Sequence, residues 1–123
     1  IVTLPNGKKL RFGSTHLDAQ KDDTNRLLQV AELNAISKQE TMPFIIAGDL
    51  NATPGSAPIA LFDAYYSRTC SSCAFTIPVI EPKRTIDFVA FSKGSAFEII
   101  SHEVIDERFA SDHLPIVSVL KLK

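Results

Sequence analysis

Pro43-Phe44-Ile45-Ile46-Ala47-Gly48-Asp49-Leu50-Asn51 is the stretch whose reading decides the fold. Four consecutive apolar residues, Phe44 to Ala47, follow a proline. That is the length of a buried strand and is too short for a core helix. From Gly48 to Pro58 the chain collects Gly, Asn, Pro, Ser and Thr, a loop composition. A buried strand that runs straight into a polar loop puts Asp49 and Asn51 at its end. Strand ends and the loops after them are where α/β sheets build sites.

Working towards the N-terminus, Ile1 to Leu4 and Lys9 to Thr15 read as strands joined by Pro5-Asn6-Gly7-Lys8. Asn-Gly between apolar runs is a hairpin signal. Asp22 or Asp23 can cap a helix to about Gln39, since Leu27, Val30, Ala31, Leu33, Ala35 and Ile36 recur at helical spacing. In the other direction, Ser56 can cap a short helix from Ala57 to about Tyr65, with Pro58 in its first turn. Residues 67–83 read as irregular. Strands follow at 84–91, 97–105 and 115–121, with Lys93-Gly94-Ser95 as a turn. The order ββαβαβββ predicts an α/β fold, a mixed sheet with helices on one face. Ile86, Phe88, Val89, Ala90 and Phe91 scarcely alternate, so their strand wants cover on both faces. The chain asks for a partner layer that it does not supply.

The chain has 123 residues, 45% hydrophobic and 22% charged, which fits one globular domain. Thirteen basic and 14 acidic residues give a net charge of −1, which argues against a broad electrostatic grip on nucleic acid. No stretch has the ~18 uninterrupted apolar residues of a transmembrane segment. No signal peptide is evident. A start at Ile1 without Met is read as a trimmed chain. Cys70 and Cys73 form a lone C-x-x-C. One pair falls short of a structural zinc site, and a Pro-containing stretch follows it rather than a helix. The plain reading is two loop thiols, or a local disulfide in an oxidising compartment, and localisation leans extracytoplasmic or secreted.

Four polar clusters fall at strand ends: Thr15-His16-Leu17-Asp18, Gly48-Asp49-Leu50-Asn51, Thr85-Ile86-Asp87-Phe88 and Ser111-Asp112-His113-Leu114-Pro115. Carboxylates and an amide oxygen are hard ligands suited to Mg²⁺, Mn²⁺ or Ca²⁺. Histidines can stabilise or protonate a phosphoryl group. Together they fit attack of a metal-activated water on phosphorus. No Gly-x-Ser-x-Gly elbow and no Gly-rich phosphate loop is present. Singly, each piece has an ordinary explanation. His16 can be a hydrogen-bonded strand-end histidine, Asp49 and Asn51 an Asx turn, Ser111-Asp112-His113 a capping turn, and His102 a surface residue. Asp87 is harder to dismiss, because a carboxyl group buried without a partner costs several kcal/mol.

In this order the four clusters resemble the endonuclease/exonuclease/phosphatase (DNase I-like) superfamily. The Arg26, Gln29 and Leu33 spacing, Phe75-Thr76-Ile77-Pro78, and Lys83-Arg84 before Ile86-Asp87 add to the resemblance, which runs from about Arg11 to Val119. It implies half of a four-layer α/β sandwich, with residues 1–123 as the C-terminal half of one domain. It also implies catalytic roles for His16, Asp49, Asn51, Asp87 and His113, and metal contacts through Asp112, Asp49 and Asn51. Asp87 would orient His113, so a hydrogen bond between them is expected. Lys83 and Arg84 are candidate substrate contacts. The implied cofactor is Mg²⁺, or Mn²⁺ or Ca²⁺. The implied function is a metal-dependent phosphodiesterase, phosphatase or nuclease, with a small-molecule or lipid-headgroup phosphoester favoured over nucleic acid. The rival is an inactive binding module on the same fold. The family's metal-binding Glu has no counterpart here, because Gln39-Glu40 lies at the wrong place. Residues 1–123 alone are therefore expected to be inactive, and the bare sheet face is expected to be covered by the absent half-domain or a second copy.

Overall fold

The computed structural model describes all 123 residues. Strand β2 (Lys9–His16) follows the short β1 (Val2–Thr3) through the expected Asn-Gly hairpin. Gly7 turns it with φ +81°, a conformation open to glycine. Helix α1 (Thr24–Gln39) leads to β3 (Phe44–Asp49), and helix α2 (Ala57–Phe62) to β4 (Tyr66–Arg68). Then come β5 (Asp87–Ser92), β6 (Phe97–Val104) and β7 (Ile116–Leu122). The main sheet has the order β1-β2-β3-β5-β4, and β6-β7 form a separate two-stranded ribbon. Strands β2 and β3 run parallel, while β3-β5 and β4-β5 are antiparallel. The mixed α/β architecture is the expected one.

Both helices cover one face of the main sheet. Val30 of α1 and Ile59 and Phe62 of α2 close over Phe44, Ile46 and Phe88. Burying one such side chain contributes roughly 1.5–3 kcal/mol. Tyr66 stacks on Phe62 with ring centroids 4.4 Å apart, and its hydroxyl donates to the Leu33 carbonyl at 2.7 Å. Asn34 Nδ2 donates to the Leu61 carbonyl at 3.0 Å and so ties α1 to α2.

Several expected boundaries differ. Helix α2 stops at Phe62, with Asp63 as C-cap, so Tyr65 lies outside it. Asp23 and Ser56 sit at the N-caps of α1 and α2, but neither side chain makes a capping hydrogen bond. Asp23 instead pairs with Arg26. The segment read as irregular holds β4 and a bridge between Ile77 and Arg84. Strand β5 begins at Asp87 rather than residue 84, because the backbone of Arg84 is already engaged with Ile77. Cys70 and Cys73 are joined by a disulfide.

The single sheet expected from the strand pattern is divided. The β6-β7 ribbon leans on the main sheet near β5, where Phe91 packs against Phe97 with centroids 5.4 Å apart. It is latched by polar groups. Thr69 Oγ1 lies 2.8 Å from His102 Nδ1 and 2.8 Å from Ser118 Oγ, and it donates to the Val89 carbonyl at 3.0 Å. His102 is therefore no plain surface residue, as its alternation in the strand implied. Its partner Thr69 comes from β4's end, which sequence spacing does not show. The ribbon covers only part of the second face, since Phe12 stays about half exposed; Val117 and Val119, also about half exposed, lie on the ribbon's outer side, alternating with the inward Ser118.

Candidate active site

Three adjacent strands deliver the site. His16 ends β2, Asp49 ends β3 and Asp87 opens β5. The register pairs His16 with Asp49 and Asp49 with Asp87. Paired residues share a face, so the three side chains stand in a row, on the side away from the helices. Pairing continues past the strand ends through Leu17 N–H to the Asp49 carbonyl (2.9 Å) and Leu50 N–H to the Ile86 carbonyl (2.8 Å). Gly48 permits the approach. A Cβ there would lie 1.8 Å from the Thr15 carbonyl oxygen, at φ +155°.

Asp49 Oδ1 accepts the Asn51 backbone N–H at 2.8 Å, an Asx turn. Asn51 takes a left-handed φ of 46°, which Asn tolerates better than most residues. Its Nδ2 donates to the Leu17 carbonyl at 2.8 Å and ties the loop to the end of β2. The Asx turn and the functional reading of these residues therefore describe one geometry. The turn uses Asp49 Oδ1 and leaves Oδ2 facing the cavity.

His113 comes from the loop between β6 and β7. The hydrogen bond expected with Asp87 is present: Nδ1 lies 3.0 Å from Oδ1 and 2.9 Å from Oδ2. A carboxylate only accepts, so Nδ1 carries the proton and Nε2 is free to face the cavity. Nε2 lies 3.9 Å from Asp49 Oδ2, and His16 Nε2 lies 3.5 Å from the same oxygen. One carboxylate oxygen thus stands between two imidazoles. Burial draws the His113 pKa down. The hydrogen bond that Nδ1–H donates to Asp87 and the charges of Asp87, Asp49 and Asp112 outweigh it and raise the pKa above the ordinary value of 6.5.

The site opens into a cavity of about 320 Å³ lined by Asp49, Asp87, Val89, Ser111, His113 and Pro115. Ligand atoms of Asp49, Asp87 and His113 lie within 4.8 Å of one another. Asp87 and His113 occupy each other, so the trio is less a three-ligand cage than a hydrogen-bonded chain. Asp49 Oδ2 and Asn51 Oδ1 are the unengaged hard oxygens; Asp112, expected as a metal carboxylate, is exposed on the same loop as His113 and neither lines this cavity nor joins the Asp49, Asp87 and His113 cluster. Mg²⁺ is commonly held by one or two carboxylates with waters completing its shell, and this donor set fits part of such a shell. Lys83 and Arg84 are not at this cavity. They line a different one of about 500 Å³, with Thr53, Pro54, Ser71 and Phe75.

Two supports have roles that the sequence does not announce. Arg26 is buried, and its guanidinium donates to the carbonyls of Asp18 (2.9 Å), Gln20 (2.5 Å) and Asp22 (3.0 Å). Gln29 Oε1 accepts the Asp18 N–H at 2.9 Å. Their helical spacing is visible in sequence, and together they clamp the loop after His16. Thr76 donates its hydroxyl to Asp87 Oδ2 at 2.6 Å. A threonine carries no chemical signature that would single it out.

Residues 2–113 match the model of the Endonuclease/Exonuclease/phosphatase family. The chain belongs to this family. Solved structures share the fold. An endonuclease/exonuclease/phosphatase family protein of Bacteroides thetaiotaomicron aligns with TM-score 0.82 and 17% identity, over 94% of this chain and 51% of that one. A mannosyl-6-phosphatase of the same organism gives TM-score 0.75 and 17% identity, over 94% and 52%. D. rerio TDP2 in complex with a single-strand DNA product gives TM-score 0.74 and 21% identity, over 94% and 57%. The chain spans about half the length of these structures. Comparison with curated proteins gave no match. No helix is long and apolar enough to cross a membrane.

Proposed function

We propose that this chain contributes one half of the active site of a divalent-metal-dependent phosphoester hydrolase. The observation that carries the reading is Asp49 Oδ2 set between His16 Nε2 and His113 Nε2, with His113 backed by Asp87. A phosphoester presents anionic oxygens and needs a proton at its leaving oxygen. His113, with its raised pKa, holds a proton on Nε2 over more of the neutral range and can bind a phosphoryl oxygen or pass that proton on. Asp87 fixes the ring and offsets its charge. His16 is exposed and free to meet the phosphate from the other side. Asp49 and Asn51 would hold the cation, which when bound supplies positive charge to the phosphate and acidifies water. Asp49 Oδ2, beside both imidazoles, is also placed to accept a proton from an attacking water.

The substrate class proposed is a small or headgroup-like phosphoester. The net charge of −1 supports it over duplex nucleic acid, which proteins grip with clustered cations. Lys83 and Arg84 lie outside the cavity of His113 and would touch only a substrate that extends along the surface.

The test is hydrolysis of bis-p-nitrophenyl phosphate by the full-length gene product that contains residues 1–123. Assays with Mg²⁺, Mn²⁺ or EDTA would run beside Asn51→Ala and His113→Ala. Release that needs the metal and falls at least about 100-fold in either variant is the expected result. Unchanged turnover in both variants would remove the assignment. A folded protein that binds phosphate esters without turnover would favour the binding module.

A further inference from the structure

Between β4 and β5 the chain leaves the main sheet and returns as a tied loop. The Cys70–Cys73 disulfide closes its start. Thr85 Oγ1 donates to the Ala74 carbonyl at 2.7 Å, and the Ile77 and Arg84 backbones pair. The loop delivers one residue to full burial beside the candidate site. Thr76 has 0% exposure, while its neighbour Phe75 is 52% exposed.

All hydrogen-bonding groups of Thr76 are engaged. Its N–H donates to the Arg84 carbonyl at 2.8 Å, and its carbonyl accepts the Leu114 N–H at 2.7 Å. Its hydroxyl donates to Asp87 Oδ2 at 2.6 Å and accepts the Ile86 N–H at 3.3 Å. Thr76 therefore holds both members of the Asp87–His113 pair. The hydroxyl grips the carboxylate, and the carbonyl grips the residue that follows the histidine. Without that hydroxyl, the imidazole is the only side chain left to set the carboxylate plane.

We propose that Thr76 is a positioning residue. Its hydroxyl sets the plane of the Asp87 carboxylate, and through Asp87 it aims His113 Nε2 at the cavity beside Asp49. The catalytic consequence rests on the hydrolase reading above, but the orientation of the pair does not. Outer partners of this kind typically carry 10- to 100-fold effects on activity, on the order of those at metal sites.

The experiment compares Thr76→Val, which keeps the shape and removes the hydroxyl, with Thr76→Ser, which keeps the hydroxyl. Two readouts are taken on the full-length protein. The first is turnover of bis-p-nitrophenyl phosphate. The second is the low-field proton resonance of His113 Nδ1–H, which reports its bond to the carboxylate whether or not the protein turns over substrate. Thr76→Val is expected to lower kcat about 10- to 100-fold with KM within about twofold, and to lose or move the resonance. Thr76→Ser is expected to stay within about threefold of wild type and to keep the resonance. Should Thr76→Val fail to fold, Thr76→Cys, with similar volume and a far weaker donor, takes its place. An unchanged resonance and kcat in Thr76→Val would overturn the proposal. So would a Thr76→Ser as impaired as Thr76→Val, since packing and not the hydroxyl would then matter. A wild type without turnover would sink the hydrolase reading alone, and the resonance would still decide the role of Thr76.

Discussion

Asp87 changes what His113 can do by standing 2.9 Å from its Nδ1. The sign of the resulting pH dependence follows from linkage. The folded-state pKa of His113 lies above its ordinary value of 6.5. Below 6.5 the protonated ring adds its full stabilisation, and that contribution is lost as pH rises through the folded pKa. Asp87→Asn keeps the shape and removes the charge. In EDTA, thermal melting of Asp87→Asn between pH 5 and 8 is expected to lack the decline at the alkaline side that wild type shows. Parallel curves for the two proteins would refute the assignment. His16, Asp49, Asp87 and His113 were legible in sequence because titratable side chains at apolar strand ends stand out. The role of Thr76 was not legible, although Phe75-Thr76-Ile77-Pro78 is among the stretches that carry the resemblance. The threonine lies eleven residues before its partner, in a stretch without periodicity, and hydroxyls are common on ordinary surfaces.

Among the elements, α1 and β3 were easy to read, because a helical apolar spacing and a short apolar run are local signals. The short β4, Tyr66–Arg68, was missed, since three residues carry too little pattern and its pairing with β5 is a tertiary fact. The split between main sheet and β6-β7 ribbon was hidden for the same reason. The ribbon's latch makes a prediction at this scale. Burial lowers the pKa of His102 below 6.5. A histidine with a depressed folded pKa favours the fold while neutral, and that contribution is lost as pH falls from 6.5 towards the folded value. His102→Gln is expected to remove this acid-side loss while leaving the His113 limb in place. Melting temperatures of the variant and wild type between pH 7 and 5 measure it, and equal acid-side slopes would rule the latch out as their source.

Taken whole, the molecule has one finished face and one unfinished face. Helices seal the first with Val30, Ile59 and Phe62. On the second, Phe12 remains about half exposed, on the side where His16, Asp49 and Asp87 project. The chain spans 46% to 57% of the length of the solved structures it resembles. Residues 1–123 alone are accordingly expected to give no measurable hydrolysis of bis-p-nitrophenyl phosphate under any divalent metal, whereas the proposed function expects a full-length protein to turn it over. Robust metal-dependent turnover by the short chain would show that its own donors suffice. The near-continuous apolar run of β5 made its need for cover on both faces legible, but the chain itself supplies the second cover there, where Phe97 of the ribbon packs on Phe91. That contact was hidden because it joins strands whose pairing no local pattern records.

The register that pairs Thr15 with Gly48, His16 with Asp49 and Asp49 with Asp87 also limits how such a protein can diversify. A strand shifted by one residue turns every side chain to the opposite face. A single-residue insertion or deletion at the start of β3 would therefore turn Asp49 to the helix side of the sheet and Ile46 to the opposite side. Gly48 cannot absorb the change, since its backbone already touches Thr15. Length variation among descendants of this chain should accordingly gather in the loops at 53–56, 78–83 and 106–110, the middle one lying between the paired Ile77 and Arg84. Those loops are free to acquire new substrates by insertion, while the strands that carry the chemistry are inherited at fixed length.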